Sequence, residues 1–81
     1  ERQLADNEWL FSARHEEEYL NETYGLNIPE SDEYDTLAGY IIAEHGGIPT
    51  EGEVLRNERF SIKIISREQS RLDVVNIRIN D

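Results

Sequence analysis

The chain has 81 residues, of which 18 are acidic and 8 are basic, so its formal net charge is −10 at pH 7. This charge repels duplex nucleic acid and anionic lipid headgroups, and we expect no nucleic-acid partner. The chain has no cysteine for a disulfide, and its apolar runs are far shorter than the roughly 20 residues that span a bilayer, so we expect no membrane insertion.

The N-terminal residues predict a linker followed by a strand. Residues 1–7 are polar and without periodicity, so we expect them to be a linker from an upstream region, with the domain over residues 8–81. Trp9 and Phe11 alternate with residues of the opposite face, which predicts a strand over residues 8–13.

A short helix and an extended connector are expected next. Residues 15–24 predict a helix that has acidic residues in its first turn and ends at Gly25. The connector over residues 26–29 ends in proline, which disfavours helical angles in the preceding residue. We expect its apolar side chains, Leu26 and Ile28, to pack against the core.

The central element is an amphipathic helix predicted over residues 34–45. Ser31 or Asp32 would cap its first turn, and Gly46 with Gly47 would end it. Gly39 lies inside this helix and costs about 1 kcal/mol relative to alanine, which predicts close approach to a neighbouring backbone. The apolar stripe recurs at spacings of three and four and comprises Tyr34, Leu37, Ala38, Ile41 and His45.

Two of the three strands predicted in the second half form a hairpin. A tight turn over residues 50–52 precedes a short strand over residues 53–56. The two residues 57–58 then connect it to a half-buried strand over residues 60–65.

The third of these strands has a phase slip. After a polar turn over residues 66–70, Leu72 lies three residues before Val75 rather than two or four. We therefore predict a β-bulge near Asp73 and Val74 that returns Leu72 to the core. The element order predicts an α+β fold, in which two helices pack on one face of an antiparallel sheet.

The segment from Asp32 to Gly52 resembles the CorC/HlyC transporter-associated domain, a family found at the C-terminus of CBS-pair membrane proteins. An acidic lead-in, Tyr-Asp-Thr-Leu-Ala-Gly, an amphipathic helix, Gly-x-Ile-Pro and a glycine-containing turn follow one another as in that family. The resemblance extends from Trp9 to Ile79 and implies an α+β sandwich. The residues that carry it are Tyr34, Asp35, Thr36, Leu37, Ala38, Gly39, Ile41, Gly47, Ile48, Pro49 and Gly52.

The resemblance implies a non-catalytic regulatory or interaction domain of a magnesium and cobalt efflux or hemolysin-like transporter. Such a domain would lie on the cytoplasmic side of the cell membrane and contact its own upstream CBS pair, the membrane domain or a second copy. Trp9 or Tyr40 would be candidate docking aromatics if exposed. The alternative is a sensor of a nucleotide, FAD or a divalent metal, with FAD and adenine nucleotides suggested only by fold analogy to flavin-binding domains. No cofactor is expected.

Four carboxylates before the central helix, those of Glu30, Asp32, Glu33 and Asp35, are the candidate ligands for a hard divalent cation. They lack the spacing of a calcium loop, and the helix N-terminus accounts for some of them, so a structural role is favoured. A zinc site would need both histidines brought together with acidic residues. With no thiol and no nucleophile elbow, we expect no enzyme.

Overall fold

An antiparallel sheet of five strands carries both helices on one face, which confirms the predicted α+β fold. The computed structural model describes residues 1–80. A separate two-stranded hairpin completes the fold. The elements are β1 Arg2–Ala5, β2 Glu8–Ser12, α1 Glu17–Tyr24, α2 Leu37–His45, β3 Val54–Arg56, β4 Phe60–Ile64, β5 Arg67–Glu68, β6 Arg71–Leu72 and β7 Val74–Ile79.

The core lies between the helices and the inner face of the sheet, whose strand order is β1-β2-β7-β4-β3. The period of two places alternate side chains of β2, β7 and β4 on that face. Leu26 and Ile28 of the connector are buried as predicted. The paired register gives two rows of buried side chains across the sheet, Trp9–Ile77–Ile62 and Phe11–Val75–Ile64.

Residues 1–7, which the sequence predicts to be a linker, contain a short strand. Arg2–Ala5 forms an edge strand that pairs with β2, and Glu1 accepts hydrogen bonds of 2.8 Å from the hydroxyls of Tyr19 and Tyr24. All four residues of β1 are exposed, so their side chains show no apolar alternation. Backbone pairing with β2 and the hydrogen bonds of the preceding Glu1 order this segment.

Both helices begin later than predicted. The chain enters α1 at Glu17 rather than at residue 15, and α2 at Leu37 rather than at residue 34. Thr36, not Ser31 or Asp32, is the N-cap of α2, since its hydroxyl accepts the Gly39 N–H. The predicted glycine ends are confirmed, because the residue after each helix, Gly25 or Gly46, is left-handed.

The close approach predicted at Gly39 involves a side chain rather than a neighbouring backbone. A Cβ added to Gly39 would lie 2.5 Å from the Cβ of Tyr34, which precedes the helix. The hydroxyl of Tyr34 donates to the Pro29 carbonyl at 2.8 Å, which holds the ring across the first turn of α2. Glycine at this position therefore makes room for Tyr34.

The predicted β-bulge is seen only as a local irregularity at Val74, whose carbonyl accepts the N–H groups of both Ile65 and Ser66, and Leu72 is buried as expected. The β4–β7 and β5–β6 pairings share one register, so neither side gains a residue. The ladder between β4 and β7 ends before Ser66 and Asp73. There the Ser66 hydroxyl accepts the Val74 N–H and donates to the Asp73 carboxylate, each at 3.1 Å. The β5–β6 hairpin therefore forms a separate two-stranded ladder, where a plain polar turn was predicted.

The connection between β3 and β4 has three residues, 57–59, rather than two. Asn57 explains the extra residue, because its side-chain oxygen accepts the N–H groups of Arg59 and Phe60, each at 2.8 Å. This turn closes with a bond from the Asn57 N–H to the Phe60 carbonyl.

The two aromatic residues considered for docking are buried. Trp9 is 6% and Tyr40 2% exposed, so both belong to the core and the condition for a docking role is not met. In the described part of the chain, neither helix has the length and apolar character required to cross a bilayer.

Candidate functional site

A cleft of about 610 Å³ opens beside the N-terminus of α1 and the segment that leads into α2. Six of its seven lining residues are acidic and none is basic, so several negative charges share a small volume. We call it the acidic cleft. It is lined by Glu16, Glu17, Glu18, Glu30, Ser31, Asp32 and Asp35.

Backbone hydrogen bonds hold the two walls of the acidic cleft together. The Glu17 N–H donates to the Asp35 carbonyl at 2.9 Å, and the Leu37 N–H donates to the His15 carbonyl at 3.0 Å. We call the bonded residues 13–17 and 35–38 the helix-start frame. It satisfies N–H groups that a helix leaves free in its first turn, so both helices begin at one rigid point.

The signature around the start of α2 completes this frame. The Ala38 N–H donates to the Ala13 carbonyl at 2.9 Å, and the Gly39 N–H donates to the Thr36 hydroxyl at 3.2 Å. Each donor that the α2 first turn exposes therefore has a partner. The Tyr-Asp-Thr-Leu-Ala-Gly sequence therefore has a structural role, which is to satisfy the first turn of α2.

Glu17 is the unusual member of the acidic cleft, because it is only 4% exposed. One of its carboxylate oxygens, Oε2, is buried and has no hydrogen-bond partner. Burial raises the pKa of Glu17, and the nearby charges of Glu30 and Asp35 raise it further, against the opposing effect of the Ser31 backbone. An unpartnered buried carboxylate oxygen is destabilising and rare.

The structure separates the predicted metal candidates. Glu30, Asp32 and Asp35 line the acidic cleft, whereas Glu33 does not, and its N–H donates to the Ser31 hydroxyl. The three acidic residues of α1 and its cap were missed as site residues, because they had been assigned to the helix dipole. The helical spacing does indicate that Glu17 is buried, since it lies three residues before buried Leu20, on the inner side of α1.

The two histidines are not brought together. His15 Nε2 lies 3.1 Å from a Glu1 carboxylate oxygen, and His45 Nε2 lies 3.1 Å from one of Glu53. Within residues 1–80, no three histidine, aspartate or glutamate side chains already converge as a ready-made metal cage. Neither histidine lines the acidic cleft.

Replacing Glu17 with glutamine is expected to stabilise the metal-free domain by about 1 kcal/mol at neutral pH. The amide has nearly the same shape, carries no charge, and presents donors to the neighbouring carboxylates. The folded-state pKa of Glu17 is raised, so ionisation penalises folding above that pKa, and this penalty disappears as pH falls below the ordinary value of 4.5. The gain should therefore vanish at acid pH.

Urea unfolding at several pH values measures this effect, with Glu18→Gln as the control. Glu18 belongs to the same helical turn and loses the same charge, but it is exposed. A neutral-pH gain that is equal in the two variants would mean that burial of Glu17 carries no penalty.

A family model described as a transporter-associated domain, CorC_HlyC, matches residues 2–81. The chain belongs to the CorC_HlyC family. The resemblance expected from the signature is confirmed, and this CorC_HlyC domain is of the kind found in CorC-type transporters.

Curated relatives of the domain carry the name magnesium and cobalt efflux protein CorC. The Salmonella typhimurium protein is 28% identical over 80 residues, which are 99% of this chain and 27% of that protein. The domain thus spans about a quarter of the length of the curated relatives it matches.

Solved structures have the same fold. A hemolysin domain from Enterococcus faecalis is 34% identical, with a TM-score of 0.84 over 99% of this chain and 96% of that one. A CorC_HlyC domain of a Xylella fastidiosa hemolysin, described in complex with Mg²⁺ and Mn²⁺, is 26% identical, with a TM-score of 0.78 over 98% and 95% of the two chains. Both solved chains are little longer than this one, so domains of this size fold alone.

Proposed function

We propose that this CorC_HlyC domain is a non-catalytic regulatory module of a CorC-type transporter of divalent cations. The observation that carries the proposal is the match of residues 2–81 to the transporter-associated family, together with the efflux function in the names of the curated relatives. The domain would act on the cytoplasmic side, through contacts with a CBS pair, the membrane domain or a second copy. The two edge strands of the sheet, β1 and β3, are natural surfaces for such contacts.

The chemistry of the acidic cleft supports a non-catalytic role. General acid and base catalysis needs groups positioned around an enclosed substrate, whereas this cleft is open and its remaining acidic residues are exposed. Ser31 is the hydroxyl side chain of the cleft, and it already accepts the Glu33 N–H.

Flux through the full-length transporter tests the proposal. We expect removal of residues 1–81 to leave Mg²⁺ efflux from proteoliposomes measurable but to change its dependence on the Mg²⁺ concentration on the domain side. Gel filtration of the shortened protein controls for correct assembly. Complete loss of flux in a well-assembled protein would place the domain in the transport machinery, and an unchanged concentration dependence would contradict a regulatory role.

Sensing of a divalent cation is a second candidate function, which the acidic cleft favours over flavin or nucleotide sensing. A cluster of carboxylates attracts cations and repels phosphates. The related domain from Xylella fastidiosa described with Mg²⁺ and Mn²⁺ supports the same candidate. No glycine-rich phosphate loop opens either helix in the sequence.

A further inference from the structure

We propose that the acidic cleft binds one hydrated divalent cation, with the carboxylate of Glu17 as its innermost ligand and Asp35 and Glu30 beside it. This inference deepens the second candidate function and rests on it. The carrying observation is that Glu17 lines the cleft and that one of its carboxylate oxygens, Oε2, is buried without a hydrogen-bond partner.

The helix dipole accounts for only part of the cluster. Glu16 and Glu18 are exposed at the N-terminus of α1, where negative charge is favourable at little desolvation cost. Glu17 is different, because its carboxylate is withdrawn from water among other acidic groups. A neutral side chain of the same shape would satisfy the helix equally well. None of the residues that line the cleft is basic, so a cation would supply the positive partner that Oε2 of Glu17 lacks.

The donor atoms indicate which class of cation fits. The lining residues offer carboxylate and hydroxyl oxygens, without imidazole or thiolate, and oxygen ligands suit Mg²⁺, Mn²⁺ and Ca²⁺ rather than Zn²⁺ or Cu²⁺. Mg²⁺ keeps several waters and is commonly held by one or two carboxylates. A wide cleft without three converging side chains is compatible with that mode of binding.

A small ion also fits the position of the free oxygen better than a basic protein segment does. Glu17 is 4% exposed, so its oxygen lies beneath the more exposed acidic groups at the mouth of the cleft. Since that oxygen has almost no accessible surface, a compact divalent ion would meet it after a rotation of the Glu17 side chain, while the waters of the ion contact the outer carboxylates. A lysine or arginine side chain brings one positive charge, with a long stem that would also have to be ordered.

Calorimetric titration of the 81-residue chain with MgCl2 and MnCl2 tests the site at constant ionic strength, with NaCl as the screening control. Glu17→Gln and Asp35→Asn are expected to weaken Mg²⁺ affinity by about tenfold or more. Glu22→Gln is the matched control, because it removes the same charge from an exposed position of α1 outside the cleft. It should change the affinity less than about twofold.

Amide NMR spectra and thermal unfolding give independent readouts. Mg²⁺ should shift the amide signals of residues 16–18 and 30–35 and raise the melting temperature of the wild type but not of Glu17→Gln. Because that variant is expected to be more stable without metal, a loss of affinity cannot be attributed to unfolding.

Three results would overturn the inference. They are an absence of Mg²⁺ and Mn²⁺ binding at about 20 mM ion, equal affinities for the wild type and Glu17→Gln, and capture of an arginine-rich peptide in the cleft without metal binding. The peptide result would favour a protein partner. The test uses this chain alone, whereas regulation is measured in the whole transporter, so failure of one is distinguishable from failure of the other.

Discussion

Replacing Ile41 with alanine is expected to destabilise the domain by about 2–5 kcal/mol. Ile41 is fully buried on α2, and its shortening leaves a cavity between helix and sheet. A domain of this size has only a thin core, so the loss is a large share of its total stability. Urea unfolding followed by the fluorescence of Trp9, the single tryptophan, measures the change.

The matched control for this substitution is Ile65→Ala. Ile65 is 43% exposed, so the same atoms are removed with little loss of buried contact. We expect a change of less than about 1 kcal/mol there. Similar losses for the two variants would contradict the assignment of α2 as the element that covers the sheet.

Replacing Gly39 with alanine is expected to destabilise the domain by about 1–3 kcal/mol, although alanine is the better helix former. The new Cβ would lie 2.5 Å from the Cβ of Tyr34, a separation that requires backbone movement. Helix propensity alone would give a gain of about 1 kcal/mol, so the two effects differ in sign. Thermal unfolding of the purified variant decides between them.

Two companion variants isolate the steric effect. Ala43→Gly, at an exposed position of the same helix, measures the propensity difference without a neighbour. In a Tyr34→Gly background the clashing atom is absent, so Gly39→Ala should become neutral or stabilising. A destabilisation that persists in that background would show that Tyr34 is not the cause.

The main elements were predictable because their signals are local. The apolar period of three and four in α2, the glycines after both helices and the alternation in β2 and β4 each follow from neighbouring residues. The edge strand β1 was not predictable in this way, since all of its side chains are exposed and its order comes from pairing with β2 and from the tertiary contacts of Glu1. The start of α2 was misplaced because acidic residues before Thr36 also suit a helix N-terminus.

Only one wall of the acidic cleft could be predicted from the sequence. Glu30, Asp32 and Asp35 are close in sequence and were recognised as a group of carboxylates. Their meeting with Glu17 depends on the backbone bond between Glu17 and Asp35, which joins positions 18 residues apart and has no signature in either segment. Burial of Glu17 beside Ser31 is likewise a tertiary outcome.

The helix-start frame connects both helices to the acidic cleft. Both helices begin in the helix-start frame, which lies beside the acidic cleft. An ion bound in the cleft would therefore stabilise the N-termini of both helices together. Binding to the folded form alone raises the free energy of unfolding in proportion to the logarithm of ion concentration above the dissociation constant. The stability of the domain would then vary with ion concentration, and a partner that contacts the two helices would respond to it.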